Sequence, residues 1–93
     1  MEIKQKDDGK KGSFYYEEAD KVLAEMSYVW SGPQKIIIDH TEVSEVLKGK
    51  GLGNILLQKV VQMAHEKGLK ILPLCPYAKH QLEKSEEYKD VLF

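Results

Sequence analysis

The sequence has little of several features that mark particular classes of protein. It contains a single cysteine, which excludes an internal disulfide and suits the reducing cytoplasm. No apolar run approaches the roughly 18 residues that a membrane-spanning helix needs, and the first residues lack the apolar segment of a signal peptide. A net charge of −1 gives no large basic field for nucleic acid. We therefore expect a cytoplasmic protein without a membrane or nucleic-acid partner, and we expect residues 1–93 to form a single domain.

The histidines do not indicate a metal site. His65 and His80 fall on predicted helices, and neither has a second ligand at metal-binding spacing. We therefore expect no bound metal.

The hydrophobic pattern predicts a mixed sheet with helices. Predicted strands cover residues 1–6, 13–18, 22–30, 35–43 and 69–74, and predicted helices cover 52–67 and 76–84, with a short helix or extended tail after them. The third strand has the clearest period-two alternation, from Val22 to Trp30, and Ile36, Ile37 and Ile38 are expected to be buried on both faces. A strand, a helix and a strand in that order predict a parallel βαβ crossover. The fold class is therefore α/β, with an antiparallel meander followed by a βαβ unit.

The most informative motif lies between the fourth predicted strand and the long helix. It reads Lys48-Gly49-Lys50-Gly51-Leu52-Gly53. Alternating glycines leave backbone N–H groups free to face an anion, and the helix start adds its own unpaired N–H groups and positive dipole end. Lys48 and Lys50 add positive charge. Together these features predict a phosphate or pyrophosphate site.

The spacing of the glycines shows which known phosphate-binding loop the motif resembles. No glycine is followed by Lys-Ser or Lys-Thr, as a Walker loop requires, and Asn54 stands where a dinucleotide fingerprint needs its third glycine. The pattern [Q/R]-x-x-G-x-[G/A] fits as Lys48-x-x-Gly51-x-Gly53, and it is the pyrophosphate loop of the GNAT acetyltransferase superfamily. Lysine at the first position keeps the positive charge but loses the planar side chain of arginine.

Other motifs extend this resemblance over nearly the whole chain. His40-Thr41-Glu42-Val43 precedes the loop, and Pro73-x-Cys75-x-Tyr77 and Glu87-Tyr88 follow it. The sequence resembles the short, YjdJ-like branch of the GNAT superfamily, in which the usual N-terminal helices are missing. The resemblance implies a GNAT-like acyl-CoA N-acyltransferase fold and activity, with acetyl-CoA as cosubstrate and an amine, a small molecule or a peptide, as acceptor.

The resemblance also assigns cofactor-binding residues. The backbone of Thr41, Glu42 and Val43 would pair with the pantetheine arm of coenzyme A. The pyrophosphate would lie on Lys48, Gly49, Lys50, Gly51, Leu52, Gly53 and Asn54. Many GNAT enzymes carry a glutamate base on the fourth strand, and the matching position here is about Ile37, which is apolar.

Two residues are candidates for catalysis. Cys75 directly precedes Pro76 and so lies near a helix start, where the dipole favours a thiolate; it is either a nucleophile or a buried core residue. His40 shares a strand face with Glu42, and the two are either a base that deprotonates an incoming ammonium or a solvated pair. Tyr77 could protonate the departing thiolate or could simply pack.

Two other functions also fit the loop. A coenzyme A-binding module without catalysis would use the same residues to hold the cofactor. A nucleotide-binding domain is the weaker alternative, because neither nucleotide fingerprint is complete.

Overall fold

The computed structural model describes residues 2–93, which form a five-stranded mixed sheet with helices on one face. The main elements are β1 (Lys4–Asp7), β2 (Lys11–Glu18), β3 (Lys21–Trp30), β4 (Lys35–Val43), α1 (Leu52–Lys67), β5 (Lys70–Pro73) and α2 (Pro76–Lys84). Short 3₁₀ helices cover Glu45–Leu47 and Glu86–Tyr88. The strand order is β1-β2-β3-β4-β5, with β4 and β5 parallel and the other pairs antiparallel. The predicted meander and βαβ unit are confirmed.

Some observed strand ends differ from the predicted ones, as at the turn before β2. The predicted first strand began at residue 1, and Met1 lies outside the described residues. β2 begins two residues early because Asp8 Oδ1 accepts the N–H groups of Lys10 and Lys11, both at 2.9 Å, and so closes a tight turn. The predicted bounds of β4 and α1 coincide with the observed ones.

Glycines in the left-handed region bracket α1. Gly51 at its start has φ 73°, and Gly68 at its end has φ 67° and donates its N–H to the Ala64 carbonyl. Between them, the sequence predicts one apolar stripe along the helix, and its members are buried except Ile55, which is half-buried: Leu52, Ile55, Leu56, Val60, Met63 and Ala64. α1 packs against β2, β3 and β4. Its position is therefore set by the sheet rather than by helix propensity alone.

Tyr28 is at the centre of the core. Its ring is fully buried and lies 6.1 Å from the Phe14 ring, centroid to centroid. Its hydroxyl donates to Asp7 Oδ2 at 2.6 Å, so the core reaches the edge strand β1. Burial, and then this hydrogen bond, raise the pKa of Tyr28 to about 12.

The second face of the sheet carries no helix within the described residues. Val29, Ile37 and Leu72 are in-register neighbours on this face, and each is half-buried. The expectation that Ile37 is fully buried is therefore wrong, because only one face of the sheet is covered by helices. Val22 is also exposed, at 42%, because a bulge at Tyr16 and Glu17 interrupts the pairing at the start of β3.

The C-terminal segment extends the sheet at the free edge of β5. Ile71 donates its N–H to the Val91 carbonyl at 2.6 Å and accepts from the Phe93 N–H at 2.8 Å. Tyr88 and Val91 are buried. The predicted alternatives, a short helix or an extended tail, both occur: one 3₁₀ turn and then a strand-like pairing.

Candidate active site

β4 continues past the end of β5 and leaves a free edge. Their pairing ends at Ile38 and Pro73, while β4 runs on to Val43. The N–H groups of Leu74 and Cys75 both donate to the Ile38 carbonyl, at 3.0 and 3.1 Å, and the chain then turns into α2. The two strands therefore separate immediately after Ile38.

A β-bulge orients the backbone along this free edge. The β3–β4 register shifts there: Tyr28 pairs with Ile38, but Ser27 pairs with His40. Beyond the bulge, Ser44 donates its N–H to the Leu23 carbonyl at 2.7 Å, so even-numbered residues face β3. The N–H and C=O groups of Thr41 and Val43 consequently face away from β3. An extended ligand segment could pair with them as an added strand.

The glycine loop presents N–H groups at the start of α1. Gly49 and Gly51 have φ 82° and 73°, with Lys50 between them. Alternating conformations of this kind can turn successive N–H groups toward one point. The Lys50 N–H donates to the Leu47 carbonyl at 3.3 Å, so the free N–H groups are those around it and in the first turn of α1. α1 has no side-chain cap and no acidic residue in its first turn. Its first N–H groups and positive dipole end therefore remain free for an anion, as predicted from the sequence.

An open groove of about 330 Å³ joins the loop to the free edge of β4. Its lining residues are Thr41, Val43, Leu47, Lys48, Gly49, Gly51, Leu52, Gly53 and Tyr77. Most of the predicted cofactor-binding residues therefore meet at one groove, although Glu42, Lys50 and Asn54 do not line it.

Two charged members of the predicted set, Glu42 and Lys48, form ion pairs with neighbouring side chains. Glu42 projects to the helix-free face, where its carboxylate lies 3.2 Å from His40 Nε2. Its backbone faces β3, so the expected pairing of Glu42 with pantetheine is not supported by the strand register. Lys48 forms an exposed ion pair with Glu45 at 2.8 Å. Such a surface pair is weak and can be exchanged for a phosphate contact.

Cys75 lies at the N-cap of α2, with Pro76 at the first helical position. The side chain is buried, at 7% exposure, and its Sγ donates to Thr41 Oγ1 at 3.1 Å. The Cys75 carbonyl accepts the Lys79 N–H at 2.9 Å, which is the first backbone bond of α2. The thiol is thus directed across the gap between β4 and β5, beside a residue that lines the groove.

His40 and Cys75 lie on opposite faces of β4. Cross-strand partners share a face, and His40 pairs with Ser27 on the helix-free side, whereas Thr41 pairs with the buried Met26. The two predicted catalytic residues are therefore not brought into contact. One faces the groove side of the strand and the other faces the opposite side.

Tyr77 lines the groove at the start of α2. Loss of water raises the pKa of its hydroxyl, and the nearby Tyr88 and Cys75 raise it further. The hydroxyl therefore keeps its proton at neutral pH.

Comparison with known proteins identifies the family. Residues 13–91 match the family model described as GCN5-related N-acetyl-transferase. The chain therefore belongs to this family, which is the GNAT superfamily of the predicted resemblance, and it is an acyltransferase of GNAT type. No curated protein matches the sequence.

Solved structures agree with this assignment. A GCN5-like protein from Staphylococcus aureus, studied by NMR, shares 43% identity over 99% of this chain and 87% of its own, with a TM-score of 0.77. A GNAT acetyltransferase from Elizabethkingia anophelis, solved with acetyl-CoA bound, shares 18% identity over 84% of this chain, with a TM-score of 0.61. A ribosomal-protein-alanine N-acetyltransferase from Brucella melitensis shares 15% identity over 83%, with a TM-score of 0.65. The chain spans 52% and 62% of the latter two proteins.

Two absences apply to the described part of the chain. Within residues 2–93, no helix combines the length and apolar composition that crossing a bilayer requires. In the same residues, no group of three or more His, Cys, Asp or Glu side chains is placed to hold a metal ion.

Proposed function

We propose that the protein transfers an acetyl group from acetyl-CoA to an amine acceptor. The observation that carries this proposal is the continuous groove from the uncapped glycine loop to the free edge of β4. Family membership supports it, as does the bound acetyl-CoA in the E. anophelis protein of the same fold. In this proposal the loop binds the diphosphate, and the backbone of Thr41 and Val43 pairs with the pantetheine arm.

The groove delivers the thioester to the separation of β4 and β5. In the direct route, the nitrogen of a neutral amine attacks the thioester carbonyl carbon, and a backbone N–H of β4 hydrogen-bonds the developing oxyanion. The carbon–sulfur bond then breaks, coenzyme A leaves as its thiolate, and the amine nitrogen loses a proton.

His40 supplies the base from the other side of the strand. It is exposed on the helix-free face, next to Glu42, and an acceptor approaching from this face meets the imidazole before the thioester. The imidazole takes the proton from the incoming ammonium, and the Glu42 carboxylate stabilises the imidazolium that forms.

A covalent route uses Cys75. Its thiolate attacks the thioester carbonyl, the bond to the coenzyme A sulfur breaks, and an S-acetyl cysteine remains. The amine then takes the acetyl group and regenerates the Cys75 thiol. The contact of Sγ with Thr41, a residue that lines the groove, favours a role for this thiol beyond packing.

Turnover on a panel of acceptors tests the proposal. Purified protein is incubated with acetyl-CoA and, in turn, a peptide with a free N-terminus, a lysine peptide, a polyamine and a small primary amine. Release of free coenzyme A and the mass of the acceptor are measured together. Acceptor-dependent acetylation supports the proposal, and its absence across all four classes contradicts it.

A second function, coenzyme A binding without catalysis, is favoured by one observation. The usual glutamate-base position of the family corresponds to Ile37, whose in-register neighbours Val29 and Leu72 are also apolar. Calorimetric titration with coenzyme A distinguishes the two functions: a binding module gives tight binding with no turnover on the same acceptors.

A further inference from the structure

Gly53 and Tyr77 touch where α1 and α2 begin, and this contact explains why residue 53 is glycine. Gly53 is not among the residues with positive φ, so its backbone conformation does not require glycine. A Cβ at this position would lie 2.9 Å from both Cζ and Oη of Tyr77 and 3.0 Å from Cε2. Real Cβ atoms do not approach other atoms so closely. The Tyr77 ring therefore occupies the space that any other side chain at residue 53 would need.

This contact places the tyrosine hydroxyl beside the first turn of α1. The Cα–Cβ direction in a helix leans toward its N-terminus, so an atom next to the Gly53 Cβ position lies near the free N–H groups. Tyr77 also lines the groove and remains 37% exposed. Because the hydroxyl is protonated at neutral pH, it can donate a hydrogen bond to an anion held by the same turn.

We infer that Tyr77 is a further coenzyme A-binding residue that donates a hydrogen bond at the diphosphate, and that Gly53 is the positioning residue that seats its ring. This inference rests on the proposed function, because it takes coenzyme A as the ligand. It differs from proton donation to the departing thiolate, which would place the hydroxyl at the sulfur end of the cofactor. In this inference residue 53 is glycine because the Tyr77 ring needs the space, and not because a phosphate must approach the backbone there.

The seating of the ring is tested in the free protein. Tyr77 ionisation is followed by NMR of the tyrosine Cζ carbon, with Tyr77→Phe to assign the signal. Gly53→Ala should displace the ring into water and lower the pKa of Tyr77 toward its ordinary value of 10.0. Alanine is favourable in a helix, so this variant should remain folded. An unchanged Tyr77 titration in Gly53→Ala would overturn the positioning role.

A double-mutant cycle tests the binding role by calorimetric titration with coenzyme A. Gly53→Ala and Tyr77→Ala should each weaken binding about tenfold, the size expected for loss of one hydrogen bond to a charged group. The double variant should bind no more weakly than Tyr77→Ala, because Gly53 acts through the ring. Additive losses would instead show that Gly53 contacts the cofactor directly, and they would overturn the inference.

ADP locates the hydroxyl contact, because it carries a diphosphate but no pantetheine arm. Tyr77→Phe should lower the affinities for ADP and for coenzyme A by the same factor. A lower affinity for coenzyme A alone would overturn the diphosphate assignment. Tyr15→Phe, on the helix-free face, is the matched control and should leave both affinities unchanged. If the wild-type protein does not bind coenzyme A, the proposed function fails, while the Tyr77 titration still decides whether Gly53 seats the ring.

Discussion

The Sγ atom of Cys75 donates a hydrogen bond to Thr41 Oγ1 over 3.1 Å, across the point where two parallel strands separate. Thr41 comes from the free part of β4, and Cys75 comes from the start of α2. A hydroxyl both donates and accepts, so Thr41 can reverse this bond and donate to a thiolate. The pair therefore joins the thiol directly to a residue that lines the groove beside the glycine loop.

Intact mass analysis after incubation with acetyl-CoA distinguishes the two catalytic routes. The covalent route predicts an acetyl adduct on the wild-type protein that is absent from Cys75→Ala, together with loss of turnover. The direct route predicts no adduct and only a modest loss of rate. Full activity in Cys75→Ala would show that the thiol serves only packing. A melting curve of the variant controls for the buried position of the side chain.

Alkylation of Cys75 tests the Thr41 contact without any cofactor. Thr41→Val keeps the shape of the side chain but removes the hydroxyl, and it should slow alkylation near neutral pH, because the reacting sulfur loses its hydrogen-bond partner. Thr41→Ser keeps the hydroxyl and should react like the wild-type protein. Cys75 is the sole cysteine, so the reaction reports one site. Equal rates in all three proteins would show that the contact does not affect the thiol.

Replacing Gly51 should weaken coenzyme A binding, whereas an equally strained substitution elsewhere should not. Gly51→Val places a β-branched residue at φ 73° and puts its side chain in the open space where the diphosphate would bind, so coenzyme A affinity should fall by at least about tenfold, or ~1.4 kcal/mol. Gly9→Val is a matched control, because Gly9 also has positive φ, 89°, and open space, but lies in the β1–β2 turn. Both variants should lose similar stability. Unchanged coenzyme A affinity in Gly51→Val would contradict the loop assignment.

His40→Gln should lower kcat/KM for acetyl transfer by on the order of 10²-fold, because a glutamine amide cannot accept the proton of the incoming ammonium. His65→Gln is the control: His65 is also exposed and paired with a carboxylate, Asp90 at 2.8 Å, but it lies on α1 outside the groove lining. A kcat/KM for His40→Gln equal to that of the wild-type protein would remove His40 from the mechanism.

Asp7 should make stability sensitive to acid. Burial alone would raise the pKa of its carboxyl, but hydrogen bonds from Tyr28, Gly9 and Trp30 outweigh burial and lower it below 3.8. The stabilisation is therefore fully present above about pH 4 and is lost as pH falls through the lower folded-state pKa. Asp7→Asn should unfold at a lower temperature than the wild-type protein at pH 7, and the difference should shrink as pH falls toward about 2. A constant difference over that range would contradict this role of the charge.

Most of the fold could be predicted because each main strand or helix has its own sequence pattern. Alternation along β3, the apolar stripe of α1 and the stop at Gly68 are local signals, and the βαβ order fixes parallel pairing. The partial exposure of Ile37 could not be predicted in the same way. Three consecutive isoleucines fit a strand in a sheet covered on both faces as well as one covered on a single face. The missing information was which face the helices cover, and that depends on contacts between distant segments.

The candidate site was predictable where it depends on the backbone conformation of the loop. The glycine spacing located the loop, because glycine permits the positive φ found at Gly49 and Gly51, and a helix start leaves its first N–H groups free. The bulge that adds Asp39 had no sequence signal, yet it decides that Thr41, and not His40, faces the groove side. For the same reason the sequence could name His40 and Cys75 as separate catalytic candidates but could not show that the strand lies between them. The contacts of Thr41 with Cys75 and of Gly53 with Tyr77 also join segments that no local pattern connects.

The strand order also places the part of the sheet that can fray far from the candidate active site. β1 is a four-residue edge strand whose side chains are all exposed, and it pairs only with β2 among the described strands. The candidate site lies at the other end of the sheet, on β4, β5 and the two helices, and it comes from the continuous stretch of residues 38–77. Fraying of β1 would break the bond between Asp7 and Tyr28 but would leave this stretch paired. Amide hydrogen exchange should therefore be fast in β1 and slow in the first half of β4, and bound coenzyme A should protect Thr41 and Val43 at the free end of β4 without changing β1.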